Sequence, residues 1–196
     1  MLTIIYFTLL LLCLVASFIN QVSRQNLLYL YFCMVLILEL GFISKLIPNA
    51  VYHSSPLFYI PFFSYFFQSQ ISMNKKLVAN FGIIFLISSF VFFSLEGFDK
   101  YSVLAGTSMS IAYIVYCLLW FLSQVINPDQ YSLLKKQTFW ISCSLIIWSV
   151  FFIFRSIPMY WLNIHDYAFL IQINIGFQII TIFSYLLFLK GLFCKI

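Results

Sequence analysis

The stretch NLLYLYFCMVLILELGFISKLIP, residues 26–48, decides the fold class of this chain. It is apolar over about twenty residues, the length that a helix needs to cross roughly 30 Å of hydrocarbon. A single carboxylate, Glu39, lies near its middle. The stretch therefore predicts a membrane-spanning helix with an ionisable group close to the bilayer midplane.

The composition extends this prediction to the whole chain. Of its 196 residues, 64% are hydrophobic and only 8% are charged, whereas a soluble domain devotes about a quarter of its residues to charge. The apolar runs are continuous rather than alternating, which favours helices as the structures that satisfy the backbone inside a bilayer. We predict an all-α fold, a polytopic transmembrane helical bundle that forms a single domain over residues 1–196.

Polar breaks divide the chain into six strong spans and one weak one. The weak segment contains Pro56 and Pro61, which a transmembrane helix tolerates when its neighbours satisfy the freed carbonyls. We expect it to span, and a six-span alternative stays open. The first run has no positively charged region before it, so we expect a retained helix rather than a cleaved signal. The predicted spans cover residues 2–19, 27–47, 51–67, 77–95, 102–126, 139–157 and 167–189.

The basic residues predict the orientation, because short loops rich in lysine and arginine stay cytoplasmic. With seven spans, one side holds seven basic residues and the other holds three, which predicts an N-out/C-in protein of the cytoplasmic (inner) membrane. With six spans, Arg24 and Lys45 exchange sides and the division is again seven to three. The larger group is Arg24, Lys75, Lys76, Lys135, Lys136, Lys190 and Lys195, and the smaller is Lys45, Lys100 and Arg155.

The net charge of +5 is interpreted as topology and contact with anionic lipid headgroups, since the basic residues form no continuous patch for nucleic acid. A protein partner could bind the basic loops through Lys75, Lys76, Lys135 and Lys136. The five cysteines lie in or at the ends of apolar runs without CxxC spacing. We therefore expect them to serve as packing residues, and we expect neither a metal site nor a cofactor.

Glu39 is the strongest candidate for a functional residue. Its neighbours one turn away are all apolar: Val35, Leu36, Phe42 and Ile43. A carboxylate at that depth costs about 2.5 kcal/mol or more unless it is paired, protonated or hydrated. Any partner must therefore come from another helix.

The last span supplies a candidate wall for such a site. Asn174, Gln178, Thr181 and Tyr185 recur at spacings of four, three and four, which places them along one stripe of a helix. Tyr113, in a span with several small residues, and Asn80 are expected to extend this polar interior. Two interpretations stay open, because these groups could form hydrogen bonds between helices or could line a hydrated pocket around Glu39.

Arg155 lies near the end of a predicted span, just before Pro158. One interpretation is that its side chain reaches out to the lipid headgroups. The other applies only with seven spans, where Arg155 and Glu39 lie on the same side of the midplane and could pair. The predicted ligand-binding or coupling residues are Glu39, Asn174, Gln178, Thr181, Tyr185, Tyr113 and Arg155.

Three stretches and the ending YLLFLKGLFC (185–194) resemble an uncharacterised family of small seven-helix bacterial integral membrane proteins. The stretches are LILELGF (36–42), SPLFYIPFFSYFF (55–67) and QTFWISCSLIIWSVFFIF (137–154). The resemblance implies seven spans and a recurrent glutamate at the position of Glu39. A second acidic residue is common in the third helix of that family, where this chain has Tyr59, and this departure argues against a mechanism with paired carboxylates.

The chain contains no HExxH, GxSxG or Walker-type motif and no clustered acidic pair, so we do not expect an enzyme. We expect a receptor-like or accessory subunit that senses a small or lipidic ligand and acts through a partner protein, because almost no soluble mass is left to produce an output. The alternative is a small transporter or channel in which Glu39 couples a proton or cation.

Overall fold

The computed structural model describes residues 1–71, 75–97, 102–128 and 130–194. It is 88% helical and contains no strand in these ranges, which confirms the all-α prediction for them. A 3₁₀ turn at Leu133–Lys135 precedes α8. The helices are α1 (Leu2–Ile19), α2 (Gln21–Gln25), α3 (Leu28–Ile43), α4 (Asn49–His53), α5 (Pro56–Gln70), α6 (Lys75–Glu96), α7 (Val103–Ile126), α8 (Gln137–His165) and α9 (Tyr167–Leu192).

Five of these helices are long and apolar enough to cross a membrane, namely α1, α6, α7, the Gln137–Met159 part of α8, and α9. The sequence predicted seven such spans. The two that differ are the predicted spans over 27–47 and 51–67, which overlap the shorter helices α3 and α5. A local backbone feature sets one boundary of each helix, namely the end of α3 and the start of α5.

α3 has 16 residues because a turn stops it at Ile43. Lys45 adopts a left-handed conformation with φ of 57°, and the backbone N–H groups of Leu46 and Ile47 donate to the Gly41 carbonyl at 2.9 and 3.1 Å. This bonding satisfies a carbonyl that the ending helix would leave without a partner. The predicted end at residue 47 was therefore four residues too late.

The predicted span over 51–67 is two helices. Ser54 ends α4 and Ser55 precedes Pro56, the first residue of α5. Proline suits a first helical position, where no backbone N–H is needed. Pro61 lies inside α5, which continues to Gln70. A second interior proline, Pro158, is likewise accommodated, since α8 runs through it to His165 rather than ending at residue 157.

The helices pack around an aromatic core. α9 packs against both α8 and α1, α7 packs against α8, α6 and α5, and α3 packs on α1. The buried Tyr31 ring of α3 lies 5.0 Å from Phe63 of α5 and 6.0 Å from Phe188 of α9, measured between ring centroids. The short helices are thus joined to the long ones at the centre of the bundle.

A reciprocal serine pair joins α8 to α9. The hydroxyl oxygens of Ser144 and Ser184 are 2.6 Å apart, and each hydroxyl also donates to the other residue's carbonyl, at 2.8 and 3.1 Å. Both residues are buried. Such small residues let two helix backbones approach closely in a membrane.

A chain of side-chain hydrogen bonds, which we call the amide network, ties together one end of the bundle. Thr138 donates to Gln70, Gln70 to Asn26, and Asn26 to Gln137, each at 3.0 Å. Gln137 then donates to Ser23 at 2.6 Å. These bonds connect the α2–α3 junction to the end of α5 and the start of α8.

The close approach of α6 to its neighbours leads to a first prediction. A Cβ at Gly82 would overlap the Ser64 hydroxyl and lie 3.2 Å from the Tyr116 hydroxyl, whereas a Cβ at Gly176 would meet nothing within 4 Å. Both changes to alanine gain helix propensity, but only Gly82→Ala overpacks an interface. We expect Gly82→Ala to be less stable than Gly176→Ala by about 1–3 kcal/mol, measured by thermal unfolding in detergent. Equal stabilities would contradict the close packing of α5, α6 and α7.

Candidate ligand-binding site

A cavity of about 650 Å³ lies between α1, α3, α5, α7, α8 and α9, with α4 at its rim. Leu2, Ile43 and Ser55 are among its lining residues, so the cavity reaches the end of the bundle where α1 begins and α3 ends. The amide network lies at the other end. Small-molecule sites in proteins typically have volumes of about 300–1,000 Å³, and this central cavity falls within that range.

The structure brings all seven residues singled out in the sequence to this one cavity. Their role in binding or coupling stays a prediction, but their proximity is a feature of the fold. Asn80 does not join them, because it is exposed on α6, a helix that contributes no described residue to the lining. The seven are Glu39, Tyr113, Arg155, Asn174, Gln178, Thr181 and Tyr185.

Glu39 finds its partners on other helices. The hydroxyls of Tyr6 in α1 and Tyr52 in α4 both donate to Oε1 at 3.3 Å, which is longer than the usual O–H···O separation of about 2.7–2.8 Å. Oε2 accepts no hydrogen bond from the part of the chain that the structure describes. A carboxylate has about four acceptor positions, so Glu39 retains capacity for a further donor.

Arg155 is held by α9. Its Nε donates to Asn174 Oδ1 at 2.7 Å, and its guanidinium carbon lies 4.9 Å from the centroid of the Phe177 ring. Across the described ranges, no ion pair joins Arg155 to Glu39, although both side chains line the cavity. Arg155 therefore neither reaches out to the headgroups nor pairs with Glu39. It turns inward and binds an amide and an aromatic ring.

The four polar residues of the α9 stripe differ in their hydrogen-bond partners. Thr181 donates to the Phe177 carbonyl of its own helix at 2.9 Å, and Gln178 makes no hydrogen bond with the described residues. Tyr185 is buried, with its ring 5.3 Å from that of Tyr6. Asn174 bonds to a side chain of the neighbouring helix α8, and all four residues of the stripe line the cavity.

Tyrosine recurs among the lining residues, and the sequence singled out only two of these tyrosines, Tyr113 and Tyr185. Among the residues that the structure describes, six tyrosines line this cavity. Tyr31 carried a signal, because it lies two turns before Glu39 on the same helix face. Tyr52 carried none, because a turn and a separate short helix bring it to Glu39. The six are Tyr6, Tyr31, Tyr52, Tyr59, Tyr113 and Tyr185.

The other end of the bundle carries most of the described basic residues. Lys75, Lys76 and Lys135 are exposed there, whereas Lys136 is only 7% exposed and donates to Gln124 Oε1. Three of the four lysines predicted to contact a partner are therefore accessible at the surface. Among the residues described, no group of three or more His, Cys, Asp or Glu side chains could hold a metal ion.

The fold and the cavity define a class, that of helical membrane proteins with a polar, tyrosine-rich internal cavity. No family model, curated protein or solved structure matches the chain. The resemblance to small seven-helix bacterial proteins stays a prediction.

Proposed function

We propose that this chain is a non-enzymatic multi-pass membrane protein that binds a small or lipidic ligand in the central cavity and acts, as a receptor-like or accessory subunit, through a partner protein. The observation that carries the proposal is the cavity itself. It has the volume of a ligand site, mostly apolar walls and a few polar groups that converge on it. Among its described lining residues there is no histidine or cysteine, and Glu39 is the only acid, which disfavours catalysis.

The topology we propose is seven passes, N-out/C-in, in the bacterial inner membrane. Its support is the amide network, since Ser23 and Asn26 bond to Gln137. A six-span chain would place residues 20–26 on the opposite side from the start of α8. Seven passes place Arg24 with Lys75 and Lys135 on one side, where basic loops favour the cytoplasm. The cavity then opens outward, and the exposed lysines face the cytoplasm, where a partner could bind them.

Filling the cavity tests the proposal. Thr181 lines the cavity and Thr8 is exposed on α1, yet both hydroxyls donate to the carbonyl four residues earlier at 2.9 Å. Thr181→Phe and Thr8→Phe therefore make the same chemical change with and without loss of cavity volume. We expect native mass spectrometry of gently purified protein to show a bound small amphiphile in the wild type and in Thr8→Phe, and none in Thr181→Phe. An empty wild type, or an adduct that persists in Thr181→Phe, would contradict the proposal.

A transporter or channel is the second candidate, and the accessible acceptor capacity of Glu39 favours it. Proteoliposomes with a pH gradient distinguish the two functions, because a coupling carboxylate must titrate during transport. Flux in the wild type that Glu39→Gln abolishes would favour the transporter. We expect no flux above that of protein-free vesicles from either protein.

A further inference from the structure

The charge balance of the central cavity constrains what it binds. Glu39 receives two long hydrogen bonds from neutral tyrosines and has no basic partner among the described residues. The only basic residue that lines the cavity in the described ranges, Arg155, is engaged by Asn174 and Phe177. A carboxylate inside a bilayer is costly unless a cation, a proton or water accompanies it. The described residues supply no cation to Glu39, so this position is open to a cationic ligand.

The walls beside Glu39 suit one kind of cation. Tyr6 and Tyr52 contact the carboxylate, and Tyr59 lines the same cavity. Aromatic faces attract ammonium groups, and several faces together form the cages that recognise quaternary ammonium ligands. A metal cation would instead need several oxygen ligands in a compact shell, and the described lining supplies one carboxylate.

We infer that the central cavity takes an organic monocation whose ammonium group binds between the Glu39 carboxylate and the rings of Tyr6 and Tyr59. The inference rests on the proposed ligand-binding function and names its ligand class. Arg155 adds a second condition, because its positive charge on the α8–α9 wall disfavours a dication. The remaining lining is largely apolar, including Val35, Leu145 and Phe188, so it accommodates the uncharged part of such a ligand.

Calorimetric titration of the protein in lipid nanodiscs tests the ammonium assignment. The probes are choline and its uncharged isostere 3,3-dimethylbutan-1-ol, which share shape and hydroxyl but differ in charge. We expect choline to bind about tenfold or more tightly than the isostere, and Glu39→Gln to remove that preference. Glu96→Gln makes the same change at the end of α6, outside the cavity lining, and is expected to leave choline binding unaltered.

The aromatic part of the site has its own variants. Tyr59→Phe keeps the ring and is expected to keep choline binding, whereas Tyr59→Leu removes the ring and is expected to weaken it several-fold. If Tyr59→Phe retains choline binding while Tyr59→Leu weakens it, the aromatic ring and not the hydroxyl is what binding requires.

The outcomes distinguish failure of the ammonium assignment from failure of the ligand-binding proposal. Equal binding of choline and the isostere, or choline binding that survives Glu39→Gln, would overturn the ammonium assignment while the cavity remained a ligand site. Absence of choline binding would also overturn it. The native mass spectrum of the same wild-type sample then decides the broader proposal. An adduct that Thr181→Phe abolishes would support the ligand-binding function, whereas the absence of any adduct would contradict it.

Discussion

Gln137→Leu is expected to lower the free energy of unfolding by about 2–3 kcal/mol, since it removes a hydrogen bond from the buried Ser23 hydroxyl and another from the Asn26 amide. Gln137 is only 1% exposed, accepts from Asn26 and donates to Ser23. Leucine has a similar volume, so lost hydrogen bonds rather than a cavity would cause the effect. The measurement is unfolding in mixed micelles with increasing denaturing detergent.

Gln172→Leu is the matched control for this change. Gln172 is exposed on α9 and makes no hydrogen bond with the described residues. An exposed amide at membrane depth is unfavourable, so we expect leucine there to leave stability unchanged or to raise it. If both variants unfolded at the same detergent fraction, the amide network would contribute nothing to holding that end of the bundle together.

The second large effect concerns the tyrosines that bond to Glu39. Replacing Tyr6 and Tyr52 with phenylalanine removes both donors from Oε1. Hydrogen bonds to a charged group contribute about 1.5–3 kcal/mol, and long ones fall at the low end. We therefore expect the double variant to lose about 3 kcal/mol of stability when Glu39 is present. In a background that already carries Glu39→Leu, we expect the same two substitutions to cost close to nothing.

The double-mutant cycle isolates the coupling, because phenylalanine keeps the ring contacts. Tyr52, for example, stacks on Phe42 with ring centroids 4.3 Å apart. Glu39→Leu alone is expected to stabilise the protein, since a carboxylate inside the membrane costs about 2.5 kcal/mol or more. Equal losses with and without the carboxylate would mean that the tyrosine hydroxyls act through some other partner.

The helical class was predictable because the length and continuity of apolar runs follow directly from the bilayer as solvent. The boundaries of α3 and α5 were harder to predict from the sequence. An apolar run marks where a helix could extend, but the turn at Lys45 and the break at Ser54 are decided by backbone geometry that hydropathy does not record. The prediction therefore extended α3 four residues too far and joined α4 and α5 into one span.

The candidate site likewise has a part that the sequence predicts and a part that it does not. Asn174 and Thr181 share a face because of helical periodicity alone, which the sequence carries. The contact between Glu39 and Tyr52 depends on the turn that follows α3 and on the placement of α4. No spacing rule predicts such a contact. The direction of Arg155 was equally undetermined, because both headgroups and an inward amide lie within reach of a long side chain.

The Ser144–Ser184 pair has a mechanical consequence. It fixes α8 against α9 at a point about 16 Å along the helix axis from Arg155 and about 10 Å from Gln137, at 1.5 Å per residue. If α8 tilts as a rigid rod about this pivot, a sideways displacement at Arg155 appears at Gln137 in the opposite direction with about two thirds of its size. The pair would thus act as the fulcrum of a lever with arms of comparable length.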